Sequence, residues 1–328
     1  MSGYLQGRTV FVSGATGMAG SALLERLLQE HPDTAIRAGW HRSAPFLHHA
    51  RIRYVQGDQG VLADCRRMIA GCDAVVMAAA FTGGAALTRA EPWRHIRENL
   101  EMNLQMLEAC HLEGVKRVIY VGSATLYQEY EGFIREEALD LNAEPAAAYG
   151  GFGWTIRYLE RMCRFWHDQT GLEVVIFRCA NIYGPYARFD PARSNFIPAL
   201  IRKAVERMDP FEVWGSPEVT RDVIYAGDFA RAVLMALDAG ERICYAVYNL
   251  GSGVRTTVGE VVACALKQAG HTPGAVLYRS DRPTTLTFRA LECGKIRREL
   301  GWVPEFSLEA GIAATTAWWQ SNRHHWKS

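Results

Sequence analysis

A short apolar run, Thr9–Ser13, ends in the turn Gly14-Ala15-Thr16-Gly17-Met18-Ala19-Gly20, and Ser21–Glu30 follows with Leu23, Leu24, Leu27 and Leu28 on one helical stripe. Three glycines at Gly-x-x-Gly-x-x-Gly spacing between a strand and an amphipathic helix constrain the chain more than any other feature. The first lets the backbone turn sharply, and the second leaves the amides of a helix N-terminus open to an approaching anion. The third lets the helix pack closely on the strand. This combination predicts a pyrophosphate seated over Gly14, Thr16, Gly17, Met18, Ala19 and Gly20, hence a dinucleotide cofactor.

The rest of the first half keeps the same rhythm. Thr34–Trp40, Ile52–Gln56, Ala74–Ala79, Arg117–Gly122 and Glu173–Arg178 read as strands, and Arg97–Leu112 and Trp154–Asp168 as helices. Strand alternating with helix predicts an α/β fold, a Rossmann-type doubly wound parallel sheet covered on both faces. Beyond residue 185 the pattern loosens, punctuated by Pro191, Pro198, Pro210 and Pro217, which predicts a smaller, irregular α/β substrate lobe. The expected division is a dinucleotide-binding domain over 1–183, with a returning segment near 223–251. The lobe then comprises 184–222 and 252–328.

The end of the second strand selects the adenosine ribose. An acidic residue there would hold a 2′-hydroxyl, but this chain has Gly39-Trp40-His41-Arg42-Ser43. Arg42 could pair with a 2′-phosphate, which points to NADP, with NAD as the alternative if Arg42 is a solvated surface charge. Asp58, followed by Gln59, ends the third strand and could accept from the adenine amino group.

Composition narrows the partners. The 328 residues carry a formal net charge of +1 without a Lys/Arg tract, which argues against nucleic acid. No apolar run approaches the ~18–20 residues of a membrane span, and the N-terminal stretch does not read as a signal peptide. The eight cysteines include no Cys-x-x-Cys pair, so zinc spacing is absent and reduced thiols in a cytoplasmic protein are expected. His48-His49 and His324-His325 are adjacent pairs that cannot share a helical face, so no metal is expected.

The glycine spacing, the Asp58 segment and Ala78-Ala79-Ala80 together resemble the extended short-chain dehydrogenase/reductase family of NAD(P)-dependent nucleotide-sugar epimerases, dehydratases and reductases. Glu98-Asn99-Leu100 looks like that family's structural asparagine, and Gly122-Ser123-Ala124-Thr125-Leu126-Tyr127 is similar to its catalytic serine loop. Arg178-Cys179-Ala180-Asn181-Ile182-Tyr183-Gly184-Pro185, Arg221-Asp222-Val223-Ile224-Tyr225 and Arg298-Glu299-Leu300-Gly301-Trp302 match as well. Within the family, Ala79-Ala80-Phe81-Thr82-Gly83-Gly84 and Ser194-Asn195-Phe196-Ile197-Pro198-Ala199-Leu200 resemble the GDP-fucose synthase group. The resemblance implies a nucleotide-sugar substrate, a GDP-sugar favoured, bound by Asn181, Ser194, Asn195, Phe196 and Arg221. It also implies cofactor contacts from Ala78, Ala79, Ala80 and Asn99, and a homodimer built on the helices after the fourth and fifth strands. A stripe of Tyr158, Met162 and Phe165 on the latter helix fits that face. Arg221 could instead be a structural partner of Asp222 or Asp228.

One family element is missing. The usual Tyr-x-x-x-Lys pair moves a proton through the tyrosine, whose pKa the lysine lowers. Matching Glu160 and Arg178-Cys179-Ala180-Asn181 to the family puts Phe152 and Ile156 at those places. No lysine occurs between Tyr149 and Gly171, so no shift of register restores the pair. Arg157 would point about 100° away from Ile156 on a helix and is not expected to replace the lysine. Thr125 and Tyr186 stand where the GDP-fucose synthase group has its cysteine and histidine. Ser123 is then expected to hold the reacting oxygen, with Thr125, Tyr149 and Tyr186 as candidate proton donors. Two readings stand: an enzyme acting at a sugar ketone or hydroxyl through a non-standard centre, and a catalytically silent member that binds cofactor or nucleotide sugar as a sensor or partner subunit.

Overall fold

The computed structural model describes residues 3–81, 91–191, 194–279 and 289–324. Thr82, Gly83, Gly84 and His325, noted above, lie outside them. The chain begins β1 (Thr9–Val12), α1 (Met18–Glu30), β2 (Ala35–Trp40), β3 (Ile52–Gln56), α2 (Leu62–Ile69) and β4 (Ala74–Met77). It continues α3 (Pro92–Leu112), β5 (Arg117–Ser123), β6 (Gly132–Ile134), α4 (Gly150–Thr170), β7 (Glu173–Cys179) and β8 (Asn181–Tyr183). Then come α5 (Phe196–Val205), β9 (Phe211–Trp214), β10 (Thr220–Arg221), β11 (Val223–Tyr225), α6 (Ala226–Asp238) and β12 (Tyr245–Leu250). The last elements are β13 (Thr256–Thr257), α7 (Val258–Ala269), β14 (Val276–Arg279), β15 (Arg289–Leu291), α8 (Gly294–Leu300) and α9 (Leu308–Asn322).

Seven strands form one parallel sheet in the order β12-β7-β5-β4-β1-β2-β3, the doubly wound arrangement expected from the alternation. The order reverses direction between β1 and β4, and the Gly14–Gly20 turn leaves β1 there, at the carboxyl ends of the strands. The central strands read as unbroken apolar runs because both faces are covered: Ala74, Val75, Val76 and Met77 of β4 are all buried. One face packs on α1 and α6 through Leu23, Leu27, Phe229 and Val233, the other on α2, α3 and α4 through Met68, Leu107 and Leu159. A third apolar cluster gathers Phe189, Ile201, Phe211, Val261, Ile312 and Trp319 from elements after residue 184, with two-stranded pairings in place of a large sheet.

The helices run longer at their starts than the apolar stripes suggest. α1 opens at Met18, α3 at Pro92 and α4 at Gly150, because apolar periodicity marks only the turns that touch the sheet. All eight cysteines are unpaired. Among the described residues no helix is long and apolar enough to cross a membrane, and no cluster of His, Cys, Asp and Glu is placed to hold a metal ion.

Candidate active site

The three glycines of the first turn differ in what requires them. Gly14 has φ +62°, and a Cβ there would stand 2.7 Å from Ala79 Cα. A Cβ on Gly20 would stand 2.3 Å from Gly14 O. Packing alone therefore accounts for both. Gly17, the N-cap of α1, has an ordinary φ of −91°, and a Cβ would meet only Gly14 O, at 3.3 Å. No side chain caps α1, and its first turn carries no acidic residue. The structure thus leaves an uncapped, partly positive helix end behind a glycine that the fold hardly needs, and a pyrophosphate fits it.

Two side chains prepare this end of the sheet. Ser13 Oγ accepts from the amides of Ala78 and Ala79, each at 2.9 Å, which ties β1 to the loop after β4. Asn99 then fixes that loop: its Oδ1 accepts from Phe81 N at 3.1 Å, and its Nδ2 donates to Phe81 O at 2.9 Å and His95 O at 2.7 Å. Asn99 therefore shapes the loop through its backbone. Ala80 is exposed on the same loop. Arg42 is exposed at the end of β2, beside His41, whose Nε2 is 3.7 Å from Asp58 Oδ2. Asp58 Oδ1 accepts from Gly60 N at 2.9 Å, and Gln59 O accepts from the Cys65 thiol.

A cleft opens beyond the carboxyl ends of β5 and β7. Ser123, Thr125, Tyr130, Tyr149, Asn181, Arg221 and Arg289 line it, with Ala124, Cys179, Ala180, Thr220, Asp222, Ala290 and Leu291. Ser123 Oγ accepts from Thr125 Oγ1 at 3.1 Å and Thr125 N at 3.3 Å. Both lone pairs being engaged, its own O–H is left to point elsewhere. Tyr149 is the residue immediately before α4, so its side chain stands at the helix mouth. Arg157, on the first turns of α4, is buried and donates to Leu126 O at 2.7 Å and Ala143 O at 2.6 Å. It clamps the end of the serine loop, and it does not stand in for a lysine.

Asn181 donates to Asp222 O at 3.1 Å. Arg221 lies 4.8 Å over the Phe196 ring, its Nε is buried without a partner, and burial pushes its pKa below the usual arginine range. Neither Asp222 nor Asp228 pairs with it. Asp222 accepts from Ser252 N and Ser252 Oγ, both 2.8 Å, from Leu291 N at 3.0 Å and from Gly253 N at 3.3 Å. Asp228 accepts from Glu305 N at 2.8 Å and Phe306 N at 3.0 Å, and is 4.0 Å from Arg231.

Three expected residues stand elsewhere. Tyr186 does not line the cleft. Its hydroxyl donates to Glu25 Oε1 at 2.6 Å and its ring packs 5.3 Å from Phe46 and 5.0 Å from Trp318. Burial and the Glu25 carboxylate push its phenol up, and because it is bonded to Glu25 away from the cleft, its expected role as proton donor there is withdrawn. Ser194 and Asn195 are also outside the cleft lining and lead into α5, whose first residue, Phe196, underlies Arg221. Phe152 stacks on His95 at 4.3 Å, and Ile156 is buried against Leu126, Tyr127, Ile134 and Leu291. Tyr130 and Arg289 went unnoticed in the sequence, since neither belongs to a spaced motif.

A family model described as NAD dependent epimerase/dehydratase family matches residues 10–251. The chain belongs to that family. Among its relatives, a GDP-L-fucose synthase of Sinorhizobium fredii is 27% identical over 97% of each chain. A GDP-mannose 3,5-epimerase of Oryza sativa is 26% identical over 94% of this chain and 81% of its own. A solved dTDP-glucose 4,6-dehydratase of Streptomyces venezuelae with NAD bound superimposes with a TM-score of 0.83 at 26% identity, covering 97% of this chain and 99% of its own. The epimerase/dehydratase match runs from β1 to the end of β12, and so takes in the glycine turn and the cleft residues up to Asp222, while Arg289, Ala290 and Leu291 lie beyond it.

Proposed function

We propose that this chain binds NADP(H), or NAD(H), over the Gly14–Gly20 turn and a nucleotide sugar, a GDP-sugar by its relatives, in the neighbouring cleft. There it acts on a sugar hydroxyl or ketone, with Tyr149 carrying the proton. The observation that carries this reading is the shared cleft: Tyr149 is joined there by Ser123 and Thr125 on one side and Arg221 and Asn181 on the other. Arg42 supports NADP because it is exposed at the end of β2 and, among the described residues, no carboxylate pairs with it.

When bound, the nicotinamide would supply or accept hydride at the sugar carbon. The protein's part is positioning and proton transfer. Thr125 holds Ser123 so that its remaining O–H donates to the reacting oxygen. Tyr149 gives a proton to that oxygen in reduction and takes one in oxidation, the function that Phe152 cannot perform. Arg221 offers a fork of donors suited to a diphosphate, and a ligand there gives its buried guanidinium the counter-charge that the protein withholds. Incubating the purified protein with NADP(H) and GDP-, UDP- and dTDP-sugars, and following nicotinamide absorbance with product masses, tests the reading. Conversion of a nucleotide sugar supports it, and binding without conversion of any would favour a silent member.

Arg221→Ala should weaken nucleotide-sugar binding tenfold or more, since a charge-assisted contact is worth about 1.5–3 kcal/mol. Titration calorimetry checks this, and undiminished affinity would place the diphosphate elsewhere. The reading extends to assembly. Trp93 on α3 and Trp154, Tyr158 and Phe165 on α4 are 41–57% exposed, more apolar surface than a solvent face carries. A homodimer pairing these helices covers them. Light scattering should return twice the 36.6 kDa chain mass, and a monomer mass at every concentration would refute the pairing.

A further inference from the structure

We propose that the sugar accepted by this cleft bears a carboxylate, as in a nucleoside diphosphate hexuronic acid, and that Arg289 reads it. The inference rests on the nucleotide-sugar reading above.

The cleft contains two guanidinium groups, and among the described residues no carboxylate lies within ion-pair distance of either. Among the described residues the only acidic one in its lining, Asp222, is occupied by four protein donors. The diphosphate, which carries two negative charges, is placed at Arg221 beside Phe196. Arg289 remains, and it stands at a different wall. Arg221 lies over Phe196 of α5, whereas Arg289 opens β15, which pairs in parallel with β6 at Gly132. Its guanidinium lies 4.5 Å from the Tyr130 ring centre and 5.7 Å from that of Tyr149. Its Nη2 is 3.5 Å from Ala124 O, one residue from Ser123. Arg289 is therefore at the reacting end, where the sugar ring must sit if Ser123 and Tyr149 are to reach it.

The chemistry of a guanidinium at that place is selective. The guanidinium lies over the Tyr130 ring, and its contact with Ala124 O leaves donors unused. A neutral hexose covering it would remove water from a cation and return only hydroxyl oxygens. A carboxylate on the ring returns two parallel charge-assisted bonds and the missing charge.

The test uses matched pairs, GDP-mannose with GDP-mannuronic acid and UDP-glucose with UDP-glucuronic acid, plus GDP and UDP alone. They are titrated by calorimetry into the parent, Arg289→Gln and Arg289→Lys. The parent should bind the acidic member of a pair at least about tenfold more tightly than the neutral one. Arg289→Gln should erase that preference while leaving affinity for the bare diphosphate within twofold. Arg289→Lys, which keeps the charge without the fork, should retain part of the preference and secures the result should the glutamine variant unfold. Equal affinity of the parent for both members overturns the proposal. So does an equal loss for the bare diphosphate, which would make Arg289 a second phosphate contact and leave the nucleotide-sugar reading intact. If the bare diphosphates bind and no nucleotide sugar does, the nucleotide-sugar reading fails and this proposal with it.

Discussion

Tyr149→Phe should lower turnover of the nucleotide sugar by about 10²–10⁴-fold, the usual contribution of a positioned proton donor, while affinities for cofactor and nucleotide sugar stay within a few-fold of the parent. The substitution removes one oxygen at the mouth of α4 and leaves the ring against which Arg289 lies. Phe152→Tyr is its counterpart. It adds a hydroxyl at the position that the family resemblance assigns to the tyrosine, but next to His95, whose Nε2 is buried without a partner and whose pKa burial pushes down. Steady-state rates with both ligands saturating, set beside calorimetric affinities, separate chemistry from binding. Rapid turnover persisting in Tyr149→Phe would pass the proton to Ser123, Thr125 or a water.

Gly17→Val should reduce dinucleotide affinity a hundredfold or more and leave the fold in place. The backbone at Gly17 suits any residue, and the added Cβ meets only Gly14 O, at 3.3 Å, so the helix cap should lose about 1 kcal/mol. The branched side chain instead fills the space before the first amides of α1. Gly14→Val is the contrasting variant. There φ is +62° and Ala79 backbone atoms lie within 3 Å of the new Cβ, so the folded state itself should fail. Fluorescence titration with NADPH and thermal unfolding of both variants distinguish a lost ligand from a lost fold. Undiminished affinity in a folded Gly17→Val would remove the pyrophosphate from this turn.

What the sequence made legible follows from how local each feature is. The glycine turn, the buried strands and the leucine stripe of α1 are contiguous, so their spacing already carries their geometry. The cleft is not contiguous. Ser123, Tyr149, Arg221 and Arg289 converge from β5, the start of α4, β10 and β15, and no periodicity links them. Arg221 was visible because it sits in a recognisable segment, and Arg289 was not. Tyr186 misled for the opposite reason. Its place after Gly184-Pro185 resembles a catalytic one, but its φ of +62° and its bond to Glu25 direct the ring towards Phe46 and Trp318. Position along the chain says nothing about where the side chain points.

Asp222 has a mechanical consequence. By accepting from the 252–253 turn and from Leu291, its buried carboxylate fastens two separate stretches of chain to the one that carries it. Arg221 is its immediate neighbour, and Arg289 lies two residues before Leu291, so both cations hang from this tie-rod by short lengths of backbone. On the reading proposed above, this tie-rod sets the gap between them, and ligands whose anionic groups match that span should be favoured over longer ones.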